Sequence, residues 1–236
     1  MIRHQFRLDP HADTSDPAFL LQTESRAIGR LDLILECDTF NFDQCDFVTS
    51  DSHFGHARII ELAGRPFEST EEMDEELILR WNQTVGRQDV VLHLGDLALG
   101  SILKSIRLTG KLNGRRLLVP GNHDRVSPST QCEAAISRFT PIYEEAGWTI
   151  LPEVVMGSRR GHPLQASHYP FEGDSGPIDR FRLSRPTRRE VPLVHGHTHD
   201  RGSDHSLNQF HVGVEAHDFA PVRFALVDDW LNRRPR

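Results

Sequence analysis

Beyond residue 46 the chain alternates short apolar runs with amphipathic stretches, and each apolar run stops at small or polar residues. Phe47, Val48 and Thr49 run into Asp51, residues 90–94 into Gly95 and Asp96, and residues 117–119 into Pro120 and Gly121. Continuous apolar runs of this length predict strands covered on both faces. Between them, Ser69 with Glu72 makes a capping box, and Met73, Leu77 and Trp81 follow at helical spacing. Ile102 with Ile106 predicts a second helix, and residues 131–139 a third. Strand, helix, strand, helix, strand implies a mainly parallel sheet with helices outside it. After Thr149 the pattern turns to strand-like pieces without long helices, at 150–156, 164–167, 193–195, 210–214 and 222–227. They predict a second sheet packed on the first. Residues 174–189, rich in Gly, Pro, Ser and Arg, read as a surface loop.

Residues 1–46 carry no readable motif, although Leu31, Leu33 and Leu35 alternate as in a half-buried strand. They are expected to be an extension packed on a domain that spans 47–236. A chain of 236 residues buries enough core to need no disulfide or metal merely to hold together. No run approaches the roughly 18 apolar residues of a membrane span, and the opening MIRHQFRLDPHADTSDPAF lacks the apolar centre of a signal peptide. A cytoplasmic location is expected. Cys37, Cys45 and Cys132 fit neither a zinc ribbon nor a disulfide framework and read as free thiols. The net charge of −7 argues against a broad basic surface for duplex DNA, leaving small substrates or short oligonucleotides as partners.

Chemistry is concentrated where the apolar runs end. Asp51 with His53, Gly95 with Asp96, Gly121 to Asp124, His168, and Gly196 to His199 each follow one, and open α/β sheets build their sites at strand carboxyl ends. Carboxylate, imidazole and amide oxygen together suit a divalent ion such as Mn, Fe, Zn or Ni. Seven candidate ligands exceed one tetrahedral ion, whereas two ions sharing a carboxylate would use them all. Such a pair polarises a phosphoryl oxygen and lowers the pKa of a bridging water, which is phosphoester hydrolysis chemistry.

The motifs DSH, GD, GNHD, a lone His and GHTH, in this order from Phe47 to about Val227, resemble the calcineurin-like metallophosphoesterase family. The string SDSHFGHARII, then RPF, EEMDEEL and HLGD, is similar to a small bacterial and phage branch. The resemblance implies a four-layer α/β/β/α sandwich and a phosphoric ester hydrolase with two divalent ions, Mn foremost. It assigns Asp51, His53 and His199 to one ion, Asn122, His168 and His197 to the other, and Asp96 to both, with a bridging hydroxide as nucleophile. His123 is implied to face the substrate, as an acid for the leaving oxygen or a donor to the phosphoryl group, with Asp124 orienting its imidazole. The chain departs from the branch at Arg58 and His211, where Asn is usual. Arg58 is a candidate phosphate ligand through its planar fork, and His56 a candidate substrate contact.

Other residues read more plainly. His93 and His195 alternate within strands and are expected to be packed and hydrogen-bonded; His211 and His217 lie near the last motif, while His162 and His205 read as solvated. The acidic run 71–76 reads as a solvated helix face, and Arg180, Arg182, Arg185, Arg188 and Arg189 as a solvated loop. The substrate is expected to be a small phosphate ester, diester before monoester. The rivals are a nuclease acting on nucleic-acid ends with the same site, separable by salt-dependent oligonucleotide binding, and a non-catalytic interaction protein, separable by metal content.

Overall fold

A computed structural model describes residues 39–234 apart from Pro177, Asp179, Asp200, Arg201, Ser203, Ser206 and Leu207. The alternating segment at 28–35 and Cys37 lie outside the described residues, as does the side chain of His205. Two sheets carry the fold. The first has five strands in the order β11 (Val222–Arg223), β2 (Phe47–Thr49), β3 (Val90–His93), β4 (Arg115–Leu118), β5 (Trp148–Ile150). β2 through β5 run parallel, and β11 pairs antiparallel with β2 at the edge. The second has six strands in the order β1 (Phe40–Asn41), β6 (Val154–Arg159), β7 (His162–Ser167), β8 (Leu193–His195), β10 (Gln209–His211), β9 (Asp204–His205). Within it β7, β8 and β10 are parallel, while β6 and β9 run antiparallel to their neighbours β7 and β10.

The period of two along each strand decides which residues face which layer. Phe47, Val91 and Leu118 join one apolar cluster with Met73, Leu77 and Trp81 of α2 (Thr70–Thr84) and Ile106 of α3 (Ile102–Thr109). It also takes in Ile59 of α1 (Ala57–Leu62) and Tyr143 of α4 (Glu133–Glu145). Their neighbours Val48, Leu92 and Leu117 point the other way, into a cluster with Val155, Leu164, Val194 and Phe210 of the second sheet. The strands of the first sheet are thus covered on both faces, as their unbroken apolar runs require. The result is a mixed α/β fold with two parallel-dominated sheets and helices. A helical layer over the outer face of the six-stranded sheet, the fourth of the expected layers, is not delineated by these clusters.

Half of the capping box forms as expected, Ser69 accepting the Glu72 amide at 3.1 Å, while the Glu72 carboxylate takes the amide of Glu68, one residue before the cap, at 2.7 Å. Three expectations are corrected. The 150–156 piece is two strands in different sheets, because β5 continues the first sheet beside β4 and only β6 enters the second. The 222–227 piece is not a strand of the second sheet: Val222 and Arg223 edge the first, and α5 (Phe224–Asn232) follows at once. Phe224, Val227, Trp230 and Leu231, spaced by three and four, bury one helical face in the cluster between the sheets. The acidic run is not wholly solvated either, since Asp74 is buried and accepts the Gly55 amide at 2.9 Å. No helix among the described residues is long and apolar enough to cross a membrane.

Candidate metal centre

The loops that follow β2, β3, β4, β7 and β8 meet at one end of the two sheets. Backbone bonds zip the first two together, Asp51 N to Gly95 O at 3.0 Å and His53 N to Asp96 O at 2.9 Å. The sheets are tied across the site by a bridge from Ser50 to Gly213, and within the second sheet the Gly196 amide meets the His168 carbonyl at 3.1 Å. Gly95 and Gly121 lie back to back. A methyl on Gly95, where φ is +85°, would strike the Gly121 backbone, and one on Gly121 would strike Asp96 and His168. Only a side chain of one hydrogen lets these two turns approach so closely.

Five of the seven candidate ligands hold left-handed backbone: Asp51 at φ 60°, His53 at 53°, Asp96 at 55°, His197 at 75° and His199 at 55°. Such φ values are uncommon outside glycine, and each costs of order 1–3 kcal/mol. The surrounding ladders and turns over-determine them, and the effect is to turn the side chains inward from the strand ends.

The ligand atoms of Asp51, His53 and His199 all lie within 4.8 Å of one another, as do those of Asp51, Asp96 and His168. Asp96 Oδ1 accepts the His123 amide at 2.9 Å. Its Oδ2 is left 3.5 Å from His53 Nε2 and 3.6 Å from His168 Nε2, between the two groups. His168 donates Nδ1–H to the Leu94 carbonyl at 2.8 Å, so its Nε2 carries a lone pair. That lone pair faces Asn122 Oδ1 at 3.0 Å and His197 Nδ1 at 3.1 Å. Asp51 Oδ1 and His53 Nε2 are buried and have no hydrogen-bond partner. Buried acceptors turned on one another are costly unless a cation lies among them, so this donor set fits divalent ions.

The electrostatics agree. Burial pushes the Asp51 carboxyl up to about 6 and that of Asp96 up to about 7, because the chain alone supplies too little positive charge there. Burial lowers His123 to about 4, helped by the charges of His199, Arg180 and Arg125. The His123 side chain is 42% exposed against 3% for Asp96, and its Nε2 lies 3.8 Å from Asp96 Oδ2. It therefore stands at the open side of the cluster. His56 is half-buried with its ring 6.1 Å from that of His123, and Arg58 is exposed nearby, its charge helping to lower His56 to about 4 after burial.

A family model described as calcineurin-like phosphoesterase matches residues 47–234. The chain belongs to that family. It is a metal-dependent phosphoesterase. Gene 66 protein of Mycobacterium phage D29 is 33% identical over 189 residues, covering 74% of this chain and 90% of the phage protein. That of Mycobacterium phage L5 is 33% identical over 177 residues, covering 71% of this chain and 85% of its own length. A protein of unknown function from Aquifex aeolicus shares the fold with a TM-score of 0.60 at 23% identity, over 78% of this chain and 97% of its own.

One expected role does not match the phosphoesterase's geometry. Asp124 does not face His123; its carboxylate accepts the amides of Asp96 at 2.8 Å, Leu97 at 3.1 Å and Gly121 at 2.8 Å, and the Tyr143 hydroxyl at 3.3 Å. It is a fully buried knot between the loops after β3 and β4. Asp124→Ala would leave three buried amides unpaired at about 1–3 kcal/mol each. Urea unfolding of the metal-free protein is expected to show a loss of about 3 kcal/mol or more, and a loss below 1 kcal/mol contradicts the role.

Three residues escaped the sequence reading. Glu215 accepts His199 Nδ1–H at 2.9 Å and is itself held by Arg65, while Asp174 lies 3.3 Å from His197 Nε2. Burial opposes the charge on both carboxylates, yet hydrogen bonds from His199 and Arg65 hold Glu215 down at about 2, and bonds from Arg180 hold Asp174 at about 2. Arg65 stands in the RPF string, but nothing in its local sequence marks Glu215 as its partner. His93 behaves as expected, buried between Trp81 and Trp148 and bonded to Ser52 Oγ at 2.9 Å. His195 is buried and donates to the Gly196 carbonyl, and His217 donates to that of His211.

Proposed function

We propose that this phosphoesterase hydrolyses small phosphodiesters at a dinuclear centre, with Asp51, His53 and His199 holding one ion and Asn122, His168 and His197 the other. Asp96 belongs to both positions. The observation that carries the reading is Asp96 Oδ2, buried and at near-equal distance from His53 Nε2 and His168 Nε2, one histidine of each set. Two divalent ions, for which Mn is the proposal, would neutralise phosphoryl oxygens and lower the pKa of a bridging water, so that hydroxide is available for in-line attack. The chain's own work is orientation and proton handling. The left-handed loops hold the ligand atoms inward, so little reorganisation remains when substrate arrives. His123, at the open side, donates a hydrogen bond to the transferring phosphoryl group or a proton to the leaving oxygen. Arg58 and His56 are proposed to contact the substrate beside it.

The preference for diesters rests on the cations available. Arg180 is near enough to His123 to lower it, but its guanidinium is held by Asp174 at 2.7 Å. Arg58 beside His56 is proposed to meet the single charge of a diester, and Arg125, exposed and near enough to lower His123, is the other cation at this side. Matched aryl mono- and diesters, compared by kcat/KM with Mn present, test this, and the diester is expected to be hydrolysed at least as well. A monoester preference of about a hundredfold, about 2.7 kcal/mol, overturns it.

A further inference from the structure

We propose that the two histidines at 197 and 199 are each aimed by an arginine-anchored carboxylate, and that the two clamps, one buried and one borne on a surface loop, give the two metal positions unequal affinity. This rests on the dinuclear reading above. Behind His199, Glu215 Oε1 accepts the imidazole at 2.9 Å and two arms of Arg65 at 2.9 Å and 2.6 Å. The same guanidinium donates to the Asp51 carbonyl at 2.6 Å and the Ser52 carbonyl at 2.9 Å. One arginine thus braces all three residues of the first ligand set, His53 through the peptide that precedes it. Its side chain is fully buried, and that of Glu215 is 2% exposed. An ionised carboxylate only accepts, so His199 must turn Nδ1–H toward Glu215 and keep its Nε2 lone pair for the cluster.

Behind His197 the arrangement repeats with other parts. Asp174 Oδ1 lies 3.3 Å from His197 Nε2, a charge contact rather than a formed hydrogen bond since that nitrogen is buried without a hydrogen-bond partner, and its carboxylate takes the Arg180 guanidinium at 2.7 Å and the Arg180 backbone amide at 2.8 Å. The imidazole has its Nδ1 toward His168 Nε2, at 3.1 Å. Here the arginine is half exposed, and both residues sit in the 172–190 loop, where Ile178 stands 71% exposed. Phe181 of that loop lies against the rings of Tyr169 and His197, yet with its anchoring arginine half in solvent this clamp opens locally at lower cost than the buried one. Each opening removes the clamp from His197 and leaves that of His199 intact. The position at Asp51, His53 and His199 is therefore the tight one, and the position at Asn122, His168 and His197 the exchangeable one.

The test titrates Mn into metal-free wild type, Glu215→Gln and Asp174→Asn, reading stoichiometry and affinity by calorimetry and Mn spectroscopy, with circular dichroism as the check on folding. Both substitutions keep the size of the side chain and one acceptor oxygen, while they remove the charge and turn the other oxygen into a donor amide. Wild type is expected to bind two ions with separable affinities. Glu215→Gln should weaken the tight ion about 10- to 100-fold, and Asp174→Asn the weaker ion by a similar factor, each leaving the other ion within about threefold. Both ions weakened alike by either variant, or neither by both, overturns the clamps while the dinuclear reading stands. Fewer than two ions in wild type overturns that reading and the clamps with it. Should Glu215→Gln fail to fold, the loop variant still decides, since an unchanged weaker site there overturns the proposal.

Discussion

Asp96→Asn should cut turnover by about ten-thousandfold or more, about 5.5 kcal/mol of transition-state stabilisation, while the metal-free protein stays folded. The carboxylate is the one group proposed to hold both ions, and its charge sets how readily water between them gives up a proton. The fold should survive because asparagine keeps an acceptor for the His123 amide, which Asp96 Oδ1 takes at 2.9 Å. Burial already pushes the Asp96 carboxyl up to about 7, so removing its charge relieves a desolvation cost in the apo protein. Thermal unfolding of apo protein should then show a midpoint no lower than wild type. Near-wild-type turnover together with full metal occupancy would sink the two-ion assignment.

For His123→Ala the expectation is retained metal and a loss of about a hundred- to ten-thousandfold in kcat. The side chain is 42% exposed and reaches Asp96 Oδ2 only at 3.8 Å, whereas Asp51 Oδ1 and His53 Nε2 are buried in the cluster. A graded series of aryl diesters separates its two possible roles. If His123 protonates the leaving oxygen, the loss grows as the leaving group becomes poorer; if it donates to the phosphoryl oxygens, the loss is nearly constant. Metal content falling as far as activity would make His123 a ligand instead.

Much of this protein can be read along the chain, because its chemistry sits at strand ends and strand ends are local events. The runs before Asp51, Asp96 and Asn122 are short and apolar because the first sheet, which they enter, is covered on both faces, and polar residues can begin only where that cover stops. The capping box at Ser69 and the face of α2 that carries Met73, Leu77 and Trp81 follow from spacing alone. So do the order of motifs and the family they resemble.

What spacing could not determine is whatever depends on a partner distant in the chain. Residues 222–227 are apolar apart from Arg223, a short run that cannot by itself distinguish a strand from a buried helix; β2 claims only the first two, and the rest turn into α5 against the inter-sheet cluster. Asp124 stands beside His123 in sequence, yet its carboxylate takes the nearby amide of Gly121 and is drawn to the amides at 96 and 97, which only the pairing of β3 with β4 brings within reach. Arg65 meets Glu215 across 150 positions, a contact with no local signature. The left-handed backbone at Asp51, His53, Asp96, His197 and His199 is likewise a tertiary decision. No local preference of Asp or His outweighs the cost of such φ values, and they persist because ladders from two sheets fix both ends of every turn. The order of the candidate ligands is legible along the chain; the joining of two sheets at their carboxyl ends decided which way those side chains point, because direction is set by backbone that other segments hold.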